Sequence, residues 1–277
     1  MKFGLFVPPF FGLADPHLIA ELAAEAEGSG WDGFFLWDHM LAGEGTPIAD
    51  PWVSMAAMAG MTRTIHMGTM VTPLSRRRPW VMARQIATLD RLCDGRLVVG
   101  IGLGDDGWQE FSSFGEETDP IRRGVALDES LTVLRGLLSG KPVSFSGTTH
   151  RVGSTAFLPP APVPFWAAGR WPRRRPLARA ARLEGFFPIF RQPDRDRAPA
   201  QADLLAIQAE LGARHVPPGY DLAVTWSFPR GGDPTPLRDD LRRVEEAGVT
   251  WALHGLPPRP LPVDLVRTVV TAGPPRD

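Results

Sequence analysis

Asp38 and His39 stand side by side just past the apolar run Gly33–Leu36, and no residues in the chain are better suited to move a proton. Histidine titrates near neutrality, so it can hold or deliver a proton under ordinary conditions. The two read as a catalytic acid–base pair, with a histidine that merely caps a strand end as the even alternative. His254 ends a second apolar run and is a weaker candidate, because packing accounts for it better. Asp38, His39 and His254 could together touch a metal, but metal hydrolases converge more histidines and carboxylates than these, so no metal is expected. Schiff-base chemistry needs a buried, activated lysine. Only Lys2 and Lys141 are present, against 28 arginines, and neither falls at a strand end where catalysis would sit.

Anion chemistry is suggested by two arginine triplets. Arg173-Arg174-Arg175 follows Trp166-Ala167-Ala168-Gly169-Arg170-Trp171, a strand that ends in glycine before a helix. Backbone N–H groups at such a junction face an anion, and arginine adds charge-assisted hydrogen bonds. A phosphate site and a solvated basic surface fit these arginines equally well. Arg76-Arg77-Arg78 reads as solvated surface. Phe10, Phe11, Trp37, Trp108, Trp171, Trp226 and Phe228 fall in segments that should converge, and such a rim suits a large planar ligand. Any one of them could instead be ordinary core. Phe10, Trp108, Trp226 and His254 are the expected substrate pocket.

The elements that must position these residues form a repeating pattern. Eight apolar runs read as strands: Phe3–Val7, Gly33–Leu36, Ile65–Val71, Leu97–Ile101, Phe165–Ala168, Phe186–Ile189, Leu222–Trp226 and Thr250–His254. The third and fourth are continuous rather than alternating, as buried parallel strands are. Helices are expected to start at Pro16, Pro51, Pro79, Pro120, Pro172, Pro199, Pro234 and Pro262. Four of these prolines follow aspartate, which caps free N–H groups while proline presets φ. Leu127, Leu131, Leu134 and Leu138 form one apolar stripe on the fourth helix, and Leu237, Leu241 and Val244 repeat it on the seventh. Eight such units predict one (β/α)₈ TIM barrel over residues 1–277, with a doubly wound open sheet as the alternative. Residues 142–164 interrupt the rhythm and predict a small hairpin between the fourth helix and the fifth strand. Residues 191–200 read as a mobile loop. Barrel active sites lie at the C-terminal strand ends, which is where Asp38-His39, Gly102, Gly104 and Gly169 fall.

A net charge of −1 gives no global electrostatic case for nucleic acid or membrane binding. No apolar run approaches the roughly 20 residues of a membrane span, and a cytoplasmic protein is expected. One cysteine rules out an internal disulfide.

Several ordered landmarks resemble one family. They are Lys2-Phe3-Gly4, Gly30-Trp31-Asp32-Gly33, Trp37-Asp38-His39, Asp50-Pro51-Trp52 and Gly68-Thr69-Met70-Val71-Thr72-Pro73. Ala87–Leu92 through Gly95-Arg96-Leu97, Phe114-Gly115 and Glu246–Trp251 follow in the same order. The chain is similar to the luciferase-like flavin-dependent oxidoreductases, which include bacterial luciferase, alkane monooxygenases and enzymes that use the deazaflavin coenzyme F420. The resemblance implies a (β/α)₈ barrel with FMN or F420 across its C-terminal mouth. It implies a non-proline cis peptide at Met70–Val71 supporting the ring, and a phosphate tail at Gly169, Arg170 and Trp171. The full cofactor-binding set expected is Met70, Val71, Thr72, Gly102, Gly104, Gly169, Arg170, Trp171 and Arg174, with His39 and Asp38 catalytic. Luciferase-type members carry a phosphate-binding arginine after the fourth strand. This chain has Gly102-Leu103-Gly104 there, so the phosphate is assigned to the arginines near the fifth strand. The chain also lacks a long insertion near the seventh strand, which implies an open pocket. The implied reaction is monooxygenation with reduced FMN, supplied by a separate flavin reductase. F420-dependent hydride transfer and a non-catalytic flavin-binding barrel are the alternatives. The partners implied are a small-molecule substrate and a second copy of the chain, docked through the second and third helices.

Overall fold

A computed structural model describes residues 1–191, 197–228 and 235–276. Eight parallel strands close a barrel: β1 (Lys2–Val7), β2 (Gly33–Leu36), β3 (His66–Pro73), β4 (Leu97–Gly102), β7 (Phe165–Arg170), β8 (Gly185–Ile189), β9 (Asp221–Trp226) and β10 (Trp251–Gly255). A separate antiparallel hairpin, β5 (Val143–Ser146) with β6 (Arg151–Thr155), fills the predicted interruption. The helices are α1 (Pro16–Gly28), α2 (Pro51–Met61), α3 (Pro79–Leu92), α4 (Pro120–Leu138), α5 (Arg174–Ala180), α6 (Gln201–Gly212), α7 (Thr235–Glu246) and α8 (Val263–Thr271).

Aspartate–proline starts explain three helices directly. Asp15 Oδ1 accepts from His17 N at 2.9 Å, Asp50 Oδ1 from Val53 N at 2.9 Å, and Asp119 Oδ1 from Ile121 N at 2.7 Å. The fourth such pair, Asp233-Pro234, lies outside the described residues, as do residues 192–196 of the expected loop. Prolines 172, 199 and 262 precede their helices rather than open them: α5, α6 and α8 begin at Arg174, Gln201 and Val263. Pro262 occupies the N-cap of α8.

Side chains alternate along each strand between two cores. Phe6, Phe35, Met70, Val98, Trp166, Ala168, Phe187, Ala223, Trp251 and Leu253 fill the barrel interior. Phe35, Trp166 and Trp251 meet at ring separations of 5.5–5.7 Å and plug its lower part. The opposite faces pack against the helices, where the α4 stripe Leu127, Leu131, Leu134 and Leu138 is buried. This parity decides which strand-end residues reach the mouth. Trp37, two residues beyond Phe35, points inward and stacks on Phe6 at 5.1 Å. The Met70–Val71 peptide is cis, and the β3–β4 register shifts between Thr69 and Thr72. Gly100 sits opposite that shift, where a Cβ would collide with the Thr69 carbonyl oxygen.

Candidate active site

A cavity of about 1450 Å³ opens at the C-terminal mouth of the barrel. Phe6, Trp37, Met70, Val71, Ala168 and Phe187 make an apolar floor and wall. His39, Asp38 and Glu110 line it as well, together with a group of arginines on α4 and α5.

His39 follows the inward Trp37, so the short β2 delivers it to the mouth. Its ring meets Trp108 edge-on at 4.9 Å and Phe10 at 5.8 Å. Neither of those rings lines the cavity; Phe10 and Trp108 form the wall behind His39 instead of the substrate surface expected of them. His39 Nδ1 lies 2.7 Å from Glu110 Oε2. The carboxylate accepts from Nδ1–H, which leaves Nε2 as the nitrogen free to meet a ligand. Glu110 Oε1 accepts from Met40 N at 2.6 Å and from Arg76 Nη1 at 3.1 Å. Burial pushes the Glu110 carboxyl up, but His39, the Met40 N–H and Arg76 outweigh it and hold the group below the usual carboxylate range.

Asp38 does not pair with His39. Its carboxylate is 2% exposed and accepts from Thr72 Oγ1 at 2.7 Å, from Trp52 Nε1 at 3.3 Å and from Arg77 Nη2 at 2.8 Å. Arg76 Nη2 donates to the Asp38 carbonyl at 2.8 Å and so ties Asp38 to Glu110. Burial disfavours the Asp38 charge, yet the guanidiniums of Arg77 and Arg76 lower its carboxyl below the ordinary value. Arg76 and Arg77 are therefore no solvated surface; their side chains are 4% and 17% exposed and buttress Asp38 and, through Arg76, Glu110. Thr72, expected to touch a cofactor, is fully buried and spends its hydroxyl on Asp38.

Two other expected pocket residues lie behind the barrel wall. His254 points toward the helix layer, accepts from Phe228 N at 2.8 Å through Nδ1, and does not line the cavity. Trp226 borders the cavity, but its ring packs on Phe228 at 4.7 Å in that same outer core. Both follow from strand parity, because inward positions on β9 and β10 are Thr225 and Gly255.

On the anion side, Met70, Val71, Gly102, Gly104, Gly169, Arg170 and Arg174 line the cavity, whereas Trp171 turns away and donates to Asp203 Oδ1 at 2.9 Å. Gly169 is required by packing: a Cβ there would collide with Pro176 of α5. Gly104 has φ +74°, which places it close against Phe111. Arg170 is largely exposed and paired with Asp105 at 2.7 Å. A stronger anion donor is Arg123 of α4, 6% exposed and in the cavity wall. Its Nε and Nη1 are buried with no hydrogen-bond partner, and its guanidinium lies 4.4 Å over the Phe111 ring. Asp106 and Asp119 are near enough for its charge to help lower their carboxyls, but neither bonds to it, so a ligand anion could take up the unused N–H groups. Arg123 lies four residues before Leu127, so it continues the buried stripe of α4, and an arginine on an apolar helix face is a readable signal. Glu110 had no such signal, being one of several loop acids after β4. Among the described residues no group of three or more His, Cys, Asp or Glu could hold a metal.

A family model described as luciferase-like monooxygenase matches residues 1–230. An uncharacterized protein of Mycobacterium tuberculosis is 32% identical over 215 residues, 76% of this chain and 70% of that protein. An F420-dependent glucose-6-phosphate dehydrogenase of Nakamurella multipartita is 31% identical over 170 residues, which is 59% of this chain but only 49% of the relative. Among solved structures, an F420-dependent secondary alcohol dehydrogenase in complex with an F420-acetone adduct superposes with a TM-score of 0.79 at 19% identity, covering 100% of this chain and 99% of that one. The monooxygenase RslO1 from Streptomyces bottropensis does so with 0.79 at 18% identity, covering 98% and 96%. At these identities the structural likeness shows the barrel fold.

Proposed function

This chain belongs to the luciferase-like monooxygenase family, and from that premise we propose that it is a two-electron oxidoreductase using the deazaflavin F420 to interconvert a hydroxyl and a carbonyl group on a small molecule. The observation that carries the reading is the His39–Glu110 pair at 2.7 Å, which opens on the same apolar mouth as Arg123, a guanidinium stacked on the Phe111 ring with Nε and Nη1 left without a hydrogen-bond partner. Bound F420 would supply the carbon that accepts or gives a hydride. Oxidation of an alcohol also releases the hydroxyl proton, and His39 Nε2 is positioned to take it. Glu110 fixes the ring and stabilises the imidazolium that results, while Arg76 and Asp38 hold Glu110 in place. The apolar floor formed by Phe6, Met70 and Ala168 suits a planar ring and excludes water beneath it. Arg123 would hold the phosphate.

A second reading is monooxygenation with reduced FMN delivered by a separate flavin reductase, which the description of the family itself favours. The same Arg123 would meet the FMN phosphate. Side-by-side titration of FMN, F420 and their reduced forms decides between the two. Tight binding of F420 alone supports hydride transfer, tight binding of reduced FMN alone supports the second reading, and failure of all four leaves a barrel without a flavin role.

Arg123 supplies a further expected outcome with two opposite signs. Arg123→Met removes charge-assisted hydrogen bonds worth roughly 2–3 kcal/mol, so cofactor affinity should fall about 30–150-fold. The ligand-free variant should melt no lower than wild type, because an unpaired buried charge is replaced by an apolar side chain of similar reach. Calorimetry with and without cofactor checks both, and a variant that melts lower yet binds normally would show Arg123 to be purely structural.

The reading includes a homodimer through α2 and α3, where Val53, Met61, Val81 and Leu92 stand exposed. Met55 and Met58 are fully buried and belong to the core of the protomer. Light scattering should give the mass of two chains, and Val53→Glu with Val81→Glu should give one. No described helix is long and apolar enough to cross a membrane, which is compatible with the cytoplasmic setting this reading assumes.

A further inference from the structure

The described residues that line the cavity from the ends of β9 and β10 carry no charge; they are Thr225, Trp226, Ser227, Gly255, Leu256 and Pro257. Their polar side-chain groups are few, and the two hydroxyls differ. Ser227 Oγ donates to the Gly255 carbonyl at 3.1 Å. Thr225 Oγ1 is buried and has no hydrogen-bond partner. Among the described lining residues the same holds only for Arg123 and for the indole N–H groups of Trp37 and Trp226. The indoles can only donate, and both are stacked on other rings. A hydroxyl donates and accepts, which suits an uncharged oxygen in either a hydroxyl or a carbonyl. Gly255 stands beside Thr225 on the next strand. A Cβ there would lie 2.9 Å from Thr225 Oγ1 and 3.9 Å from the Phe6 ring, so the glycine leaves a notch between the hydroxyl and the apolar floor. In the strand order β9 lies three strands from β2 in a barrel of eight. Neighbouring strands are about 4.8 Å apart, so Thr225 and His39 stand near opposite sides of the mouth, and one oxygen cannot meet both.

We propose that Thr225 determines specificity by binding a second, uncharged oxygen of the substrate, seated in the notch over Gly255. The substrate is then a neutral diol or hydroxy ketone whose two oxygens are set apart on an apolar frame. The proposal rests on the alcohol–carbonyl reading above, in which His39 meets the oxygen that reacts. A buried hydroxyl without a partner is unfavourable until a ligand satisfies it. A site built around such a group rejects an analogue that lacks the matching oxygen.

The test is ligand-observed NMR titration of trans-cyclohexane-1,4-diol and trans-4-methylcyclohexanol onto the F420-loaded protein. The second probe carries a methyl group where the first has its second hydroxyl. Wild type, Thr225→Ser, Thr225→Val and Gly255→Ala are compared, and each is also melted without ligand. Wild type and Thr225→Ser should bind the diol roughly 3–10-fold tighter than the methyl alcohol, the worth of one neutral hydrogen bond. In Thr225→Val the order should reverse, because the second hydroxyl of the diol is then buried without a partner. In Gly255→Ala the preference should disappear, because the added methyl fills the notch. Ligand-free Thr225→Val should melt about 2–4 °C above wild type, since valine keeps the shape and removes the unpaired hydroxyl. A Thr225→Val protein that melts lower shows the hydroxyl satisfied within the fold and overturns the proposal. Equal affinity of wild type for the two probes overturns it as well, as does failure of both to bind the F420-loaded protein; both results leave F420 use intact. Weaker F420 binding by Thr225→Val with the diol preference retained assigns the hydroxyl to the cofactor and overturns its role toward substrate. Failure of F420 itself to bind overturns the alcohol–carbonyl reading and this proposal with it.

Discussion

His39→Gln should lower kcat by about 10²–10⁴-fold, the usual contribution of a positioned general acid–base, and leave cofactor affinity within about threefold. Glutamine keeps a hydrogen-bond donor near Glu110 but cannot accept a proton at the position of Nε2. Phe10 and Trp108 still wall the site, so the cavity keeps its shape. Glu110→Gln separates positioning from proton transfer. It can keep an acceptor for Nδ1–H but loses the charge and turns an NH2 toward the Met40 N–H and Arg76, so kcat should fall less, by roughly 10–100-fold, with KM little changed. Single-turnover rates with pre-bound cofactor check both. A His39→Gln enzyme with normal turnover would move the proton transfer elsewhere, and an equal fall in kcat and cofactor affinity would reduce His39 to a packing residue.

Asp38→Asn should cost stability more than chemistry. The substitution keeps the shape that Thr72 and Trp52 recognise but removes the charge between two buried arginines. Breaking a buried ion pair by neutralising one partner costs about 3–5 kcal/mol. The lower end applies here, because Arg76 keeps Glu110 and the less buried Arg77 can swing toward water. About 3 kcal/mol corresponds to a fall in Tm of roughly 6–12 °C for a chain of this size. The acid dependence has a definite sign. The Asp38 carboxyl titrates below its ordinary value of 3.8 when folded, so its contribution is complete above that value. It is lost as pH falls through the lowered folded value. The gap in stability between wild type and Asp38→Asn should therefore be full at pH 7 and close on strong acidification. A constant gap, or a Tm within 2 °C of wild type at pH 7, would mean that the arginines do not depend on Asp38.

The barrel was legible because its signals are local. Apolar runs at a steady spacing, three aspartate–proline starts that cap their helices as expected, and the leucine stripe of α4 each depend on residues a few positions apart. Helix starts at Pro172 and Pro199 shifted by two residues because proline marks a boundary without choosing which side of it the helix occupies. The position of His39 at the mouth was legible for the same reason, since it directly follows a strand.

Its partner was not. Asp38 is adjacent in sequence and faces away; Glu110 is 71 residues distant and touches the ring. Consecutive residues at a strand end point to opposite sides, so adjacency argues against contact rather than for it. The same parity sends Trp226 and His254 into the helix layer, and Thr72 to Asp38. Arg76 and Arg77 looked like surface because composition cannot show that two carboxylates, from β2's end and from the loop after β4, converge on them. The sequence by itself determined the repeat, the family and the strand ends that could carry chemistry. Tertiary structure decided which of those side chains meet and which buried guanidinium keeps N–H groups without a hydrogen-bond partner, because charge pairing and burial are set by distances between segments that only barrel closure brings together.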